Sequence, residues 1–495
     1  MLSFMYKSIL QFNENGIKSI EKITKSFISD GTKMIGDLVM ELDRPIQELQ
    51  RNIIQDILES IDEIYLKDKK RKETHYVERR SDPNTILTTC GEVNYTRTYF
   101  KCRNKEGYEY LVDKYAGITP GMRKSQDVVI KSIEHAVCSS YRISGENATN
   151  TEDIVSKQAV MKDIHKLEIP AIIPEVKVKK KCKILYINAD EDHVSLQFHK
   201  KKGDLQEDKL GRKQNTIMPK LIYVFEGVEK ESENSKRKKL INKHCFGGVH
   251  QDNGAFWEEV RDYINTIYDE TYLEKIYIMG DGAYWIKTGL EVLGAKSIFV
   301  LDKFHLSQSV TRATAHLGDA VFDARTRIYD SISMEDLDEI KKIFDIIADY
   351  PLTTQAKRKQ VLQTKGYIVN YWEAITIRNN DEQARMGCSA EGSISHIYSS
   401  RLSSRPLGWS KIGVDKMSRL KVYIENGGEV YDLMTYQNIK KERKIEEHIR
   451  DQVDKNIRKE RHKYCDAFEH TTMALNIGKR TGLHMMTKAL RGICG

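Results

Sequence analysis

The sequence predicts a mixed α/β or α+β fold, in which a central sheet domain lies between helical segments. Strand-like apolar runs alternate with helical periodicity between residues 184 and 301, which indicates strand–helix–strand units rather than a helix bundle. Residues before 75 and from 305 to about 380 are predicted to be helical. The chain has 495 residues, 40% of them hydrophobic, which is enough for roughly three or four domains of about 150 residues.

The N-terminal third is predicted to contain three segments. Residues 1–75 form helices that break at Asp30-Gly31, a pair typical of turns. Residues 76–124 form a small β-containing domain. Residues 125–169 resemble a helix-turn-helix, with Ser156 as the N-cap of the second helix, although many other helical pairs share this pattern. The polar side chains of that helix predicted to contact DNA are Lys157, Gln158 and Lys162.

The central region begins after two prolines in residues 169–174, which favour an extended link over helix. Two segments there, 254–268 and 283–293, have the apolar spacing of helices. The strand candidates are 184–190, 193–199, 217–226, 240–246, 275–280 and 297–301.

Charge and motifs limit the classes of function. The 80 Lys and Arg exceed the 72 Asp and Glu by 8, a mild excess that is compatible with a polyanionic partner. The eight cysteines include no Cys-x-x-Cys pair, so a zinc finger or a disulfide framework is not expected. Gly280-Asp281-Gly282 lacks the rest of a nucleotide-binding motif, so no nucleotide cofactor is expected. Neither a membrane span nor an export leader is apparent, and we expect a cytoplasmic protein.

Three acidic residues are candidates for chemistry. Asp190 and Asp281 each end an apolar strand, and carboxylates at the ends of adjacent strands can point into one crevice. Glu391 lies near the predicted start of a helix capped by Ser389. Asp192 is an alternative to Asp190, which we prefer because it directly follows the apolar run. Each of these acids also has a structural alternative, as a cap of a turn or of a helix.

Magnesium suits such a set, because it prefers hard oxygen ligands and usually keeps several waters. Two ions roughly 4 Å apart can activate a nucleophile and stabilise the leaving oxygen of a phosphodiester. Asp302 and His305 follow another strand, and they either assist the metal ligands or form a structural hydrogen bond.

These residues resemble the DDE transposases of the Lre-type bacterial insertion sequences, long catalogued as an uncharacterised protein family. The resemblance covers residues from about 75 to 425, and its blocks lie in the family's order. The last block, which contains Glu391, is the most specific of them. The blocks are Thr88-Thr89-Cys90-Gly91-Glu92-Val93 with Arg97-Thr98-Tyr99-Phe100; Ser140-Tyr141-Arg142; Ser156-Lys157-Gln158-Ala159-Val160; Ala189-Asp190-Glu191-Asp192-His193-Val194; Gly280-Asp281-Gly282-Ala283-Tyr284-Trp285-Ile286; Leu301-Asp302-Lys303-Phe304-His305; and Ser389-Ala390-Glu391-Gly392 through Arg401-Leu402-Ser403-Ser404-Arg405-Pro406-Leu407-Gly408-Trp409.

The resemblance implies a ribonuclease-H-like catalytic domain over 170–305 and 386–425, interrupted by a helical insertion over 306–385 and followed by a basic helical tail over 426–495. It implies that Asp190, Asp281 and Glu391, with Asp192 as the alternative, hold two Mg²⁺ ions when DNA is bound, and that Mn²⁺ can substitute. Three further residues, Arg401, Arg405 and Trp409, either lie near this site, where they touch DNA or position Glu391, or are buried structural residues.

The implied function is that of a DNA transposase, which binds the ends of its element, hydrolyses a phosphodiester at each end and transfers the strand to target DNA. Its partners are double-stranded DNA and at least one further copy of the chain, because two ends are processed together. A bacterial, nucleoid-associated location follows. The principal rival is a catalytically silent DNA-binding protein derived from a transposase; a third hypothesis is a sugar transferase that uses the Asp190 and Asp192 pair to hold a nucleotide-sugar metal.

Overall fold

The structure is a computed structural model that mixes helices and sheets, as the sequence predicts. It divides into two compact units: residues 1–136, 140–160 and 434–495 in the first, and 137–139 with 161–433 in the second. The residues that it describes are 7–103, 106–198, 206–207, 213–233, 235, 237–351, 353–386, 390–405, 408–439, 449–455 and 457.

The first unit packs helices against a three-stranded antiparallel sheet of order β1-β2-β3. The predicted break at Asp30-Gly31 is confirmed, since one helix ends at Ser29 and the next begins at Ile35. The elements are α1 (Lys7–Gln11), α2 (Ile17–Ser29), α3 (Ile35–Lys67), α4 (Lys69–Thr74), β1 (His75–Thr88), β2 (Gly91–Cys102), β3 (Tyr108–Tyr110), α5 (Leu111–Ala116), α6 (Gln126–Cys138) and α7 (Tyr141–Glu146), with a π-helix at Phe12–Gly16.

The long helix α3 is fastened to β2 by acidic side chains as well as by apolar packing. Asp62 accepts hydrogen bonds from the backbone N–H of Thr98 at 2.9 Å and from its hydroxyl at 2.6 Å. Burial raises the pKa of the Asp62 carboxyl, and the two bonds from Thr98 partly oppose that rise. The apolar core beneath includes Phe100 and, from the predicted basic tail, Ile449. Most of that tail lies outside the described residues.

The predicted helix-turn-helix region contains three helices, since α8 (Lys157–His165) follows α6 and α7. Ser156 accepts a hydrogen bond from the N–H of Ala159 at 3.3 Å, which supports its predicted role as an N-cap. Ten residues separate α7 from α8, whereas a helix-turn-helix usually has a turn of about three or four residues. The connection doubles back, and the N–H of Val155 donates to the carbonyl of Gly145 at 3.0 Å. A DNA-reading helix pair therefore stays a prediction.

The second unit is built on a five-stranded sheet of order β12-β9-β4-β13-β14. The strands β12, β9 and β4 are antiparallel neighbours, whereas β4, β13 and β14 run parallel. Its strands and the two helices between them are β4 (Ile184–Glu191), β9 (Lys220–Phe225), β12 (His244–Gly248), α9 (Asn253–Ile267), β13 (Lys275–Gly280), α10 (Tyr284–Leu293) and β14 (Ser297–Leu301).

Three of the predicted strands are shorter or divided. The candidate 193–199 contributes only Val194–Ser195, named β5, whose partner is Thr216–Ile217, named β8. Pro219, which has no N–H to donate, separates β8 from β9. Asn242 has a left-handed φ of 52° and separates β12 from β11 (Lys238–Ile241). The remaining short strands are β6 (Gln206–Glu207), β7 (Lys213–Gln214) and β10 (Gly227–Lys230).

The two faces of the central sheet have different roles. Leu185, Ile187 and Ala189 of β4 pack into the core formed with α9 and α10. Because side chains alternate along a strand, Tyr186, Asn188 and Asp190 lie on the opposite face. There the ring of Tyr186 stacks between those of Tyr277 and Phe225, with centroid distances of 5.6 and 5.5 Å. Asp190 therefore belongs to the face that α9 and α10 leave uncovered.

The region predicted as a helical insertion is helical and has its own apolar core, which includes Val310, Phe344 and Ile368. Beyond it, the side chain of Asn426 bonds both the N–H and the carbonyl of Cys245 on the edge strand β12, each at 2.8 Å. None of the described helices is long and apolar enough to cross a membrane. The helices are α11 (Lys303–Thr314), α12 (Val321–Ser333), α13 (Leu337–Ala348), α14 (Gln355–Asn370), α15 (Trp372–Asn380), α16 (Ala390–Ile394), α17 (Ser400–Leu402), α18 (Lys411–Glu425) and α19 (Val430–Ile439).

Candidate active site

Three aspartates stand in a row where neighbouring parallel strands end. Residue pairing aligns Asn188 of β4 with Met279 of β13, and Gly280 of β13 with Leu301 of β14. Asp190, Asp281 and Asp302 lie one or two residues beyond these pairs, at the same end of three neighbouring parallel strands. The sheet thus places two of the predicted ligands, Asp190 and Asp281, at one edge.

Asp190 is held by its own strand end. Its side chain is only 8% exposed. The Oδ1 atom accepts a hydrogen bond from the N–H of Glu191 at 2.9 Å. The carboxylate is therefore constrained before any ligand binds.

Asp281 lies in a tight turn fixed by the helical insertion. Its Oδ1 atom accepts the N–H of Ala283 at 2.8 Å. From α14, the Tyr367 hydroxyl donates to the carbonyl oxygen of Asp281 at 2.8 Å, and that of Tyr371 donates to the carbonyl oxygen of Gly282 at 2.5 Å. Burial raises the pKa of Tyr367, and the charge of Asp281 raises it further, so this phenol stays protonated as a donor. Sequence reasoning missed both tyrosines, which lie about 90 residues from the turn.

Gly282 is required by the same turn. Its φ of +91° is a conformation that side-chain-bearing residues rarely adopt. An added Cβ would also lie 2.5 Å from Cζ of Tyr371. The last residue of the short motif Gly280-Asp281-Gly282 is therefore a glycine for steric and conformational reasons.

Asp302 has a contact that neither of its two predicted roles describes. Its side chain caps α11 by accepting the N–H of Phe304 at 3.1 Å. The Nε2 atom of His305 lies 3.8 Å from Oδ2 of Asp302, which is too long for a hydrogen bond. Asp302 nevertheless stays at the edge of the site, and its charge contributes to the raised pKa of Tyr367.

Glu391 belongs to α16, and this helix contacts β4, the strand that carries Asp190. The backbone of the third predicted acid is therefore close to the strand of the first. The side chain of Glu391 lies outside the described residues, and so does Ser389, the predicted cap.

Glu191 is a further acid near Asp281 that the sequence reasoning left without a role. It lies on the α9 and α10 side of β4, opposite Lys220 in the strand pairing. Burial raises the pKa of the Glu191 carboxyl, the charge of Asp281 raises it further, and Lys220 opposes the rise. Two acids so placed repel each other electrostatically, which favours a cation or a proton between them.

The side chain of Asp192 has different hydrogen-bond partners from that of Asp190. Its Oδ1 atom accepts the hydroxyl of Ser403 at 2.8 Å, and its Oδ2 atom is buried without a hydrogen-bond partner among the described residues. Burial raises the pKa of Asp192 above the usual 3.8, against the lowering effect of hydrogen bonds from Ser403 and Ser399. The choice of Asp190 over Asp192 as the ligand stays a prediction.

We expect Asp192→Asn to increase the free energy of unfolding at neutral pH by about 1 kcal/mol, because a buried charge is replaced by a neutral group. Folding favours the protonated form of a carboxyl whose pKa is raised, so Asp192 contributes most at acid pH and loses that contribution as the pH rises through its folded pKa. The advantage of the variant should therefore shrink from neutral to mildly acidic pH in urea titrations. An advantage that grows on acidification would contradict this account.

Two buried residues of the last block, Arg401 and Trp409, have structural contacts. Arg401 and Trp409 are each 6% exposed, and the guanidinium lies 4.7 Å from the centre of the indole ring. The indole N–H donates to the carbonyl of Leu402 at 3.0 Å, and the backbone of Trp409 bonds Ser195 and Gln197 beside β5. Of the two alternatives for Arg401 and Trp409, the structure favours the buried structural role over direct DNA contact.

The other residues predicted to touch DNA are on the surface. Lys157, Gln158 and Lys162 of α8 are exposed, and so is Arg405. They remain available to a polyanion, and contact with DNA stays a prediction for them.

Comparison with known families places the chain. Residues 29–442 match the model of a family described as an uncharacterised protein family, UPF0236. The chain belongs to this family. Two UPF0236 proteins of Caldanaerobacter subterraneus subsp. tengcongensis are each 35% identical to it over 483 residues; the matches cover 98% of this chain, with 97% of the first relative and 92% of the second. The predicted membership of a family catalogued as uncharacterised is confirmed.

Two solved structures show a weak likeness to this UPF0236 chain. A Drosophila P element transposase strand transfer complex matches with a TM-score of 0.23 and 11% identity, over 66% of this chain and 83% of that one. A Mos1 transposase paired-end complex with the left transposon end matches with a TM-score of 0.14 and 11% identity, over 52% of this chain and 79% of that one. Both TM-scores are too low to establish a shared fold.

Proposed function

We propose that this chain is a metal-dependent DNA transposase that cleaves the ends of an insertion sequence and joins them to target DNA. The observation that carries the proposal is the placement of Asp190 and Asp281 at the same end of adjacent parallel strands, with the helix of Glu391 in contact with β4. The sheet, with three antiparallel strands followed by two parallel ones, supports the ribonuclease-H-like domain that the family resemblance implies.

The donor set fits magnesium. Asp190 and Asp281 lie at the ends of neighbouring parallel strands and offer carboxylate oxygens, which Mg²⁺ prefers. Asp190, Asp281 and Glu391 would hold two Mg²⁺ ions when DNA is bound, with Mn²⁺ as a substitute. Bound there, the metal supplies activation of the attacking oxygen and stabilisation of the leaving oxygen.

The chain's own residues give this site its rigidity. Asp190 is fixed at a strand end, and Asp281 is fixed by hydrogen bonds from α14 to its turn. Trp409 ties the segment after α17 to Ser195, a few residues beyond Asp190. Preorganised ligands of this kind need no rearrangement when charge develops on the phosphate.

The names of the relatives add an independent argument. One Caldanaerobacter relative, 35% identical to this chain, has a name that joins eleven locus designations, and another joins four. A protein encoded at many loci of one genome is what a mobile element leaves as it multiplies. Under this proposal the exposed Lys157, Gln158, Lys162 and Arg405 contact DNA, and a homodimer or larger oligomer handles the two ends in the bacterial nucleoid.

Cleavage of DNA that carries both element ends, taken from the flanks of the gene, tests the proposal. We expect the purified chain to release 3′-hydroxyl ends with Mg²⁺ and none with a chelator. Asp281→Asn should lower the rate roughly 10³-fold, because a carboxylate that holds the catalytic metal is lost. The matched control is Asp262→Asn on α9, whose aspartate is 72% exposed. Equal cleavage by wild type and Asp281→Asn would reject the enzyme, and sequence-specific binding without cleavage would favour the silent DNA-binding protein.

A further inference from the structure

The first unit brings together three metal-binding side chains that the sequence does not bring together in any motif. His75 begins β1, Cys102 ends β2 and Glu109 is the middle residue of β3. His75 and Cys102 are directly opposite in the strand pairing, and Glu109 pairs with Phe100, two residues before Cys102. One ligand atom from each of the three lies within 4.8 Å of the other two.

The carboxylate of Glu109 is the centre of this cluster. Its Oε1 atom lies 2.9 Å from Nε2 of His75 and 3.2 Å from Sγ of Cys102. Ligand atoms around one tetrahedral zinc are about 3.3–3.6 Å apart, given the usual bond lengths. These two separations therefore need to open by only a few tenths of an ångström to admit an ion, and the ligand atoms of His75 and Cys102 lie within 4.8 Å of each other.

The surroundings already orient the ligands as metal sites do. The Nδ1 atom of His75 lies 2.8 Å from Oγ1 of Thr74, and that hydroxyl lies 3.1 Å from the carbonyl oxygen of Arg71. When the Thr74 hydroxyl donates its hydrogen to the carbonyl oxygen of Arg71, its oxygen accepts a hydrogen bond from Nδ1–H of His75. The other ring nitrogen, Nε2, then carries no hydrogen in the neutral ring and faces the carboxylate of Glu109. Two acceptor atoms 2.9 Å apart need a proton or a cation between them. A hydrogen bond on the remote ring nitrogen is the usual support of a histidine ligand.

The rest of the cluster is also fastened. Lys114 donates to the second oxygen of Glu109 at 3.2 Å, which leaves Oε1 for the cluster. Cys102 is 7% exposed, whereas the side chains of His75 and Glu109 are 14% and 20% exposed. The thiol is thus shielded while the open side of the cluster reaches solvent, where water can complete four-fold coordination.

We propose that His75, Cys102 and Glu109 bind a zinc ion that ties together the three strands of the small sheet. Nitrogen, sulfur and oxygen donors together suit zinc and not magnesium, which takes oxygen alone. Binding releases the thiol proton of Cys102 and the proton shared by His75 and Glu109 to solvent. This site lies within the first unit and is independent of the proposed DNA cleavage.

Cobalt(II) is the probe, because a cobalt–thiolate bond gives a near-ultraviolet charge-transfer band that an all-oxygen site lacks. We expect the metal-stripped full chain to bind one Co²⁺ with this band, and zinc to abolish the band by displacement. Cys102→Ser should lose it, whereas Cys138→Ser, at an exposed free cysteine, should keep it. Zinc should also raise the unfolding temperature of wild type and of Cys138→Ser.

If a variant fails to fold, the cobalt spectrum of the wild-type chain still tests the proposed zinc site. A folded wild-type chain without the band under excess cobalt overturns the proposal, and the three groups then share only protons. A band that survives in folded Cys102→Ser overturns it too, since another thiol would then be the ligand. Glu109→Gln keeps the thiolate band and should weaken cobalt affinity roughly 10-fold or more, since one of three protein ligands becomes neutral.

Discussion

Replacing Asp190 by asparagine is expected to lower DNA cleavage roughly 10³-fold while leaving the fold intact. Asparagine has the same shape, and its Oδ1 atom can keep the hydrogen bond from the N–H of Glu191. The variant loses only the negative charge, which the proposed metal ions require. We expect normal far-ultraviolet circular dichroism and an unchanged unfolding midpoint, so the loss will appear in the cleavage rate alone.

Asp192→Asn is the matched control, because it makes the same substitution two residues away on a side chain that engages Ser403. Its cleavage rate should stay within about threefold of wild type, and excess Mn²⁺ should not fully restore the rate of Asp190→Asn. The opposite ranking, with Asp192→Asn inactive and Asp190→Asn active, would make Asp192 the ligand. Two active variants would remove this strand end from the active site.

Gly282→Ala is expected to lower the free energy of unfolding by about 2–4 kcal/mol and to slow cleavage at least roughly tenfold. About 1 kcal/mol comes from the left-handed backbone and the rest from overlap with the ring of Tyr371. Relief of that overlap requires Tyr371 to leave the carbonyl of Gly282, which loosens the turn that carries Asp281. Urea titrations and initial cleavage rates measure the two effects.

Gly117→Ala separates the two causes. Gly117 also has a left-handed backbone, with a φ of +73°, but an added Cβ there meets nothing within 4 Å. This control should cost only about 1 kcal/mol and leave cleavage unchanged. If the two glycine variants behave alike, Tyr371 does not hold the turn. Tyr371→Phe, which removes the hydrogen bond and keeps the ring, should slow cleavage less than Gly282→Ala.

The strands that position the site were predictable because each carries a local signal. β4, β13 and β14 are apolar runs between polar turns, and their observed bounds agree with the predicted ones within one residue. The breaks at Pro219 and Asn242 also had local signals, a missing N–H and a residue that tolerates a left-handed backbone, which the longer apolar pattern obscured.

The difference in surroundings between Asp190 and Asp192 had no such signal. It depends on Ser403, which is 211 residues away from Asp192, and no local pattern reports such a contact. The same holds for Tyr367 and Tyr371 at the turn of Asp281, and for the cluster of His75, Cys102 and Glu109. Side chains that meet only through strand pairing or helix packing become visible in the folded chain.

The two hydrogen bonds that join the side chain of Asn426 to Cys245 of β12, called the Asn426 clamp, have a consequence for folding during synthesis. Its two partners, Asn426 and Cys245, are 181 residues apart, so on a ribosome adding roughly 5–20 residues per second β12 waits about 10–40 s for its clamp. Until then the outer edge of the sheet lacks this cover, and open strand edges recruit other chains. A chain truncated before Asn426 therefore lacks these hydrogen bonds to β12 and is expected to aggregate more readily than the full chain.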